Sequence, residues 1–295
     1  MFKGMLVSAL AITLALCSCR GQRSGQSDKI SVFVSIAPQA YFVERIGGEH
    51  VEVDVLVPPG VEPHVFEPQP RQVARLADGK LFFQIGMPFE EALSLRLADQ
   101  KSLKIVDTRR GIELIEAQDD DDHAGHDDHA KLDPHIWMSP RLALIMAGTI
   151  RDELKAVDSL HAADYDANYK ALEADMNALD SRLRKSLAPL EGRTFYVFHP
   201  AFGYFAREYN LKQKAVEDQG KSPSARQLLQ LVEQAKADGV KVVFVQPQFS
   251  RQSAEVLARE LDGAVVALDP LAKDYIANMD LIAQRVNEAL TRQDE

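Results

Sequence analysis

Short apolar runs alternate along this chain with segments whose hydrophobic positions recur every three or four residues. From Ile30 onward the pattern predicts strands at Ile30–Ile36, Val51–Val57, Lys80–Ile85 and Leu103–Val106. Helical spacing predicts Gln39–Ile46, closed by Gly47-Gly48, and a helix opened by Pro70 that runs to Leu76. Two longer helical segments follow, Arg141–Val157 and His161–Leu187. The second has neither Gly nor Pro, and Tyr165, Tyr169, Leu172, Met176, Leu179, Leu183 and Leu187 give it one apolar face. Alternation then resumes. Strands are expected at Thr194–Phe198, Gln213–Val216, Val240–Val245 and Ala264–Ala267. Helices are expected at Pro200–Tyr209, Pro223–Ala237, Ser250–Leu261 and Asp274–Leu290. Strand–helix–strand order of this kind implies parallel sheets covered by helices. The expected fold is α/β, with lobes at 30–160 and 189–295 joined by one long, rigid helix over 161–188.

The first residues are different in character. Lys3 precedes an apolar run from Met5 to Leu16, about twelve residues and too short to span a bilayer as a helix. It ends in Leu16-Cys17-Ser18-Cys19, which resembles a bacterial lipoprotein cleavage box with Cys19 as the lipidated residue. Residues 1–18 therefore read as a signal peptide and 19–29 as a flexible tether, which makes the protein extracytoplasmic and anchored to a membrane through lipid. Both cysteines lie in this segment, so the processed chain has no disulfide and no thiolate metal site. A net charge of −10 argues against a nucleic-acid partner and suits a cation.

Four metal-capable side chains sit next to proline in turns. His64 lies in Val57-Pro58-Pro59-Gly60-Val61-Glu62-Pro63-His64, and His135 in Asp133-Pro134-His135-Ile136-Trp137. His199 lies in Phe198-His199-Pro200, and Asp269 in Leu268-Asp269-Pro270. Taken singly, a histidine in a turn is an ordinary surface or capping residue, and an Asp before Pro an ordinary turn residue. Three of the four, however, follow expected strands, where open α/β sheets bind ligands. The placement points to one site in the cleft between the lobes. Trp137 and Met138 read as packing beside it. Glu62 and Asp133 are close enough in sequence to orient imidazoles, or to be solvated turn residues.

These motifs, in this order, resemble the metal-binding lipoproteins of bacterial ABC importers for zinc and manganese, over nearly all of the chain after Ser31. The resemblance implies two α/β lobes around a rigid helix, with one metal ion held in the cleft by His64, His135, His199 and Asp269. It also implies delivery to a permease whose ATPase is a separate subunit, and a monomeric receptor with no catalytic activity. Three imidazoles and a carboxylate suit Zn2+. Mn2+ prefers oxygen-rich sites, and manganese members of the family usually carry Glu where this chain has His199. Intrinsic affinity also admits copper and nickel. Gln246 stands where many members have Glu and is not assigned as a ligand.

Within an acidic loop at 117–131, Asp119–His129 carries His123, His126 and His129 among its aspartates. It resembles the histidine-rich loop of zinc members, and reads either as a solvated acidic segment or as a weak auxiliary metal collector. The rival readings are a zinc hydrolase, which lacks a His-Glu-x-x-His motif here, and a metal-dependent surface adhesin. Gly220-Lys221-Ser222 is no phosphate loop, because Ala215 stands where that motif needs Gly.

Overall fold

The computed structural model describes residues 29–117, 132–216, 225–249, 255 and 258–291. The leader, Cys19, the tether, the loop histidines His123, His126 and His129, and most of the helix expected at 250–261 lie outside the described residues. Among the described residues, no helix is long and apolar enough to cross a membrane.

Two four-stranded parallel sheets form the two lobes. The first contains β1 (Ile30–Val34), β2 (Val51–Val55), β3 (Leu81–Gln84) and β4 (Lys104–Asp107), ordered β2-β1-β3-β4. The second contains β5 (Thr194–Val197), β6 (Lys212–Ala215), β7 (Val242–Val245) and β8 (Ala264–Ala267), ordered β6-β5-β7-β8. The two orders are the same, with the first strand of each lobe flanked by the second and third. Register in the first sheet aligns Val32 with Val53 and Leu81, and Phe83 with Val106. Val32, Val34, Phe82, Phe83 and Val106 are buried, as expected for parallel strands covered on both faces.

Among the described residues, the helices with both bounds placed are α1 (Ala37–Gly47), α2 (Pro70–Ala77), α3 (Pro88–Arg96), α4 (Pro140–Val157), α5 (Ala162–Leu187), α6 (Gly203–Glu208), α7 (Ala225–Ala237) and α8 (Tyr275–Thr291). Helix α1 ends where expected. Gly48 takes φ 56°, a left-handed geometry that glycine adopts without strain. Ser139 caps α4 by accepting the Leu142 N–H, and Pro140 opens its first turn.

Helix α5 has 26 residues and is about 39 Å long at ~1.5 Å per residue. Tyr165, Leu172, Met176, Leu179, Leu183 and Leu187 are buried along one face. That face packs on α1 and α4 of the first lobe and on α8 of the second. One continuous apolar cluster therefore runs from the first sheet through α5 into α6 and α8, and a smaller cluster lies under the second sheet.

Hydrogen bonds also tie the lobes together beside the cleft. Trp137 Nε1 donates to Pro270 O at 2.8 Å, and Tyr275 Oη donates to Trp137 O at 2.6 Å. Tyr204 Oη donates to Asp133 O at 2.9 Å and accepts from Ile115 N at 3.1 Å.

Candidate metal centre

Each histidine is placed by a turn: His64 and His199 lie beyond the carboxyl ends of β2 and β5, and His135 precedes a 3-10 turn that leads into α4. His64 lies in a short 3-10 turn, Pro63–Val65, beyond β2. Proline at its start fixes the turn, and Glu62 Oε1 accepts the His64 N–H at 3.0 Å. His135 precedes a second 3-10 turn, Ile136–Met138, whose three residues are buried. His199 follows β5 directly and is buried.

The three rings meet. His135 Nε2 is 3.3 Å from His64 Nε2 and 3.3 Å from His199 Nε2. The three donor nitrogens all lie within 4.8 Å of one another, the only such group of histidine, cysteine or carboxylate side chains among the described residues. A tetrahedral zinc with Zn–N of about 2.0–2.1 Å sets its ligands ~3.3 Å apart. The spacing of His135 from each of the other two rings is therefore that of zinc ligands. The cavity between them, about 10 Å³, is lined also by Met87, Trp137, Ala201, Gln248, Phe249 and Leu271. It has room for an ion and none for an organic substrate.

Neighbours fix the tautomer and direction of His135. Asp133, itself buried, accepts from His135 N at 2.8 Å and pairs with His135 Nδ1 at 2.6 Å. The carboxylate keeps the proton on Nδ1 and leaves the Nε2 lone pair facing the other two rings. Gly203 makes room for this carboxylate: a Cβ there would stand 2.8 Å from Asp133 Oδ2 and 3.2 Å from Ile115 Cδ1.

His199 is held by its backbone. Gln246 Oε1 accepts from His199 N at 3.0 Å, and Gln246 Nε2 donates to His199 O at 3.1 Å. Its ring stacks on Phe249, centroids 4.9 Å apart and planes 21° apart. Gln246 is thus a fully buried clamp for the histidine rather than a donor to the cavity.

Burial and crowding keep the rings neutral. Burial, then the nearby His135 and His199, pushes His64 from its usual 6.5 down to about 2. Burial and His135 hold His199 well below 6.5 against the opposing pull of Asp133. A metal ion needs unprotonated imidazoles, and these two are already in that form.

Asp269 is not brought to this cluster. It sits at the end of β8 in a turn, with Oδ1 accepting from Leu271 N at 3.0 Å and from Gln248 Nε2 at 2.9 Å. Its backbone oxygen accepts from Asn278 Nδ2 at 2.7 Å. Gln248, which sequence reasoning passed over, thus stands between the three imidazoles and the fourth expected ligand. It follows β7 as His199 follows β5, but an amide is not a side chain that motif reading assigns to a metal.

The model of the family described as zinc-uptake complex component A, periplasmic, matches residues 32–289. The chain belongs to this family. The zinc-uptake resemblance extends to individual relatives. The high-affinity zinc uptake system protein ZnuA of Bacillus subtilis is 30% identical over 90% of this chain and 87% of its own. A putative metal-binding protein of Treponema pallidum is 30% identical over 98% and 95%. Among solved structures, a crystal structure of ZnuA superposes with a TM-score of 0.83 at 40% identity, over 89% of this chain and 99% of that one. A zinc-bound ZnuA deletion mutant gives a TM-score of 0.81, also at 40% identity, over 89% and 98%. These likenesses agree with the two-lobed fold, and membership makes the protein a periplasmic component of zinc uptake.

Proposed function

We propose that this protein is the receptor of an ABC zinc importer, that it takes a zinc ion between its lobes on His64, His135 and His199, and that it passes the ion to a membrane permease served by a separate ATPase. The observation that carries this reading is the 3.3 Å spacing of His135 Nε2 from the Nε2 atoms of His64 and His199, which matches the edge of a zinc tetrahedron. Nitrogen donors favour zinc over manganese. Cys19, beyond the described residues, supplies the lipid anchor, and residues 19–29 the tether to a lobe that begins near residue 30. The receptor works as a monomer, with the long helix as the spine between its lobes.

Family membership makes the chain a transport component, and the small cavity supports binding without catalysis. Competition against a chromogenic zinc chelator tests the site. Wild type is expected to bind one zinc tightly, and His135→Ala to lose at least a hundredfold in affinity. Equal affinity in the two proteins would remove His135 from the site, and uptake of zinc by a strain lacking this chain at the wild-type rate would refute the transport role.

A further inference from the structure

His64 is the least buried of the three imidazoles, and it borders two spaces. One is the tight cavity it shares with His135 and His199. The other is a groove of about 470 Å³ between the turn that carries His64 and helix α3. Neither His135 nor His199 lines this groove, so His64 is the wall that it shares with the ion site.

Both sides of the groove are fixed by proline, Pro63 at the start of the turn and Pro88 at the start of α3. Phe66 and Phe89 meet edge to face across it, ring centroids 5.1 Å apart. From α3, Pro88, Phe89, Ala92, Leu93 and Arg96 face in, which is one stripe of a helix. Val65 on the turn is 70% exposed. Leu95, about 60° around α3 from Ala92, is 74% exposed. Arg96 and Glu67 are charged members of the lining, both exposed, and among the described residues neither has an ion-pair partner.

An apolar groove with unpaired charges beside it has the composition of a protein interface. The exposed Val65 and Leu95 stand on opposite sides of it, so what covers them extends beyond the groove, as a polypeptide does and a small molecule does not. Whatever receives the ion must also come close to its donors, and His64 is the donor this surface offers. Both requirements point to the protein that takes the cargo.

We propose that an amphipathic extracytoplasmic segment of the permease docks in this groove, with its apolar face on Phe66, Phe89 and Ala92, an acidic side chain on Arg96 and a basic one on Glu67. The segment lies in the groove as helical ligands do, and its charges fix its direction. This rests on the zinc-receptor reading and names the surface and the chemistry of its partner. Docking there acts on the ion through the His64 turn, which is tied by the bond from His64 N to Glu62 Oε1, while His135 and His199 stay buried.

Ala92 and Arg96 are exposed and lie outside the ion site, so they carry the test. Zinc-loaded chain is added to the permease and its ATPase in nanodiscs, and the rise in ATP hydrolysis is measured. Ala92→Arg, which sets a cation in the apolar floor, and Arg96→Glu are each expected to raise the half-maximal concentration about tenfold. Their zinc affinity in a chelator competition is expected to equal that of wild type. Lys80→Glu, an exposed position just before β3 and outside the groove, is expected to stimulate like wild type. Wild-type stimulation by both groove variants would overturn the proposal, and so would an equal loss in Lys80→Glu, which would reflect charge alone. Loss of zinc affinity in Ala92→Arg would make the groove a support for His64 and not a docking surface. Wild type that dimerises in sedimentation, with Ala92→Arg monomeric, would give the groove to a second copy of the chain and also overturn it. No stimulation by wild type, with zinc uptake unchanged in a strain lacking the chain, would defeat the receptor reading itself.

Discussion

Acid should destabilise the metal-free protein through two particular histidines. In the native state His64 is held down to about 2, and His199 well below 6.5, by burial and by neighbouring imidazoles. In the unfolded chain both take up protons below about 6.5. Their folded pKa is the lower one, so their contribution to stability is complete above about 6.5 and is lost as pH falls toward the folded value. Over the window from pH 7 to pH 5 His64 removes about 2 kcal/mol, and His199 adds a loss in the same direction. That is a large share of the 5–15 kcal/mol that ordinarily separates native from unfolded. Chelator-treated wild type and a His64→Asn/His199→Asn double variant, unfolded in urea at both pH values, isolate the effect, because every other titrating group is common to the two. Wild type should lose more than the variant, by at least about 2 kcal/mol. Equal losses would mean that the native imidazoles titrate normally, and the argument from their burial would fail.

Other expectations follow from packing. Gly203→Ala places a methyl 2.8 Å from Asp133 Oδ2, so His135 should loosen and zinc affinity fall by about ten- to a hundredfold in a chelator competition. Deletion of Asp119–His129 should remove weak zinc equivalents from a titration and leave the single tight one, because the three imidazoles that meet are His64, His135 and His199. X-ray scattering with and without zinc should give nearly equal radii of gyration, since α5 packs on both lobes without Gly or Pro inside it; a large contraction would contradict this.

Much of this fold is legible in the sequence because parallel strands buried on both faces announce themselves as runs such as Val32–Val34 and Phe82–Phe83. The long helix is equally plain from its periodic apolar face. Helix α3, Pro88–Arg96, was not expected, and Glu90 explains why. It occupies a core position, buried, with its carboxylate accepting from Ile85 N at 3.0 Å and Gly86 N at 2.7 Å. A charge in the apolar stripe breaks the pattern by which such a helix is recognised. The helix expected from Pro200 begins only at Gly203, because the chain first turns through His199 with Ala201 N bonded to His199 O.

At the site, three histidines could be named from strand ends and proline-bound turns. Asp269 is placed apart from the three rings, and the turn that makes it conspicuous also uses its carboxylate, through the Leu271 N–H. The roles of Gln246 and Gln248 depend on distances between separate loops, and nothing in residue type or spacing announces them.

Trp137 is the one tryptophan of the chain. Its ring lies 5.2 Å from that of His135, and its indole N–H reaches Pro270 across the cleft. The protein therefore has a single intrinsic fluorophore, seated where cargo binds and where the lobes meet. Emission excited at the indole band arises from this point alone, without dilution by other tryptophans. Loading of the ion and parting of the lobes can both be followed in real time on unlabelled protein, and a stopped-flow trace of either event reads the centre itself.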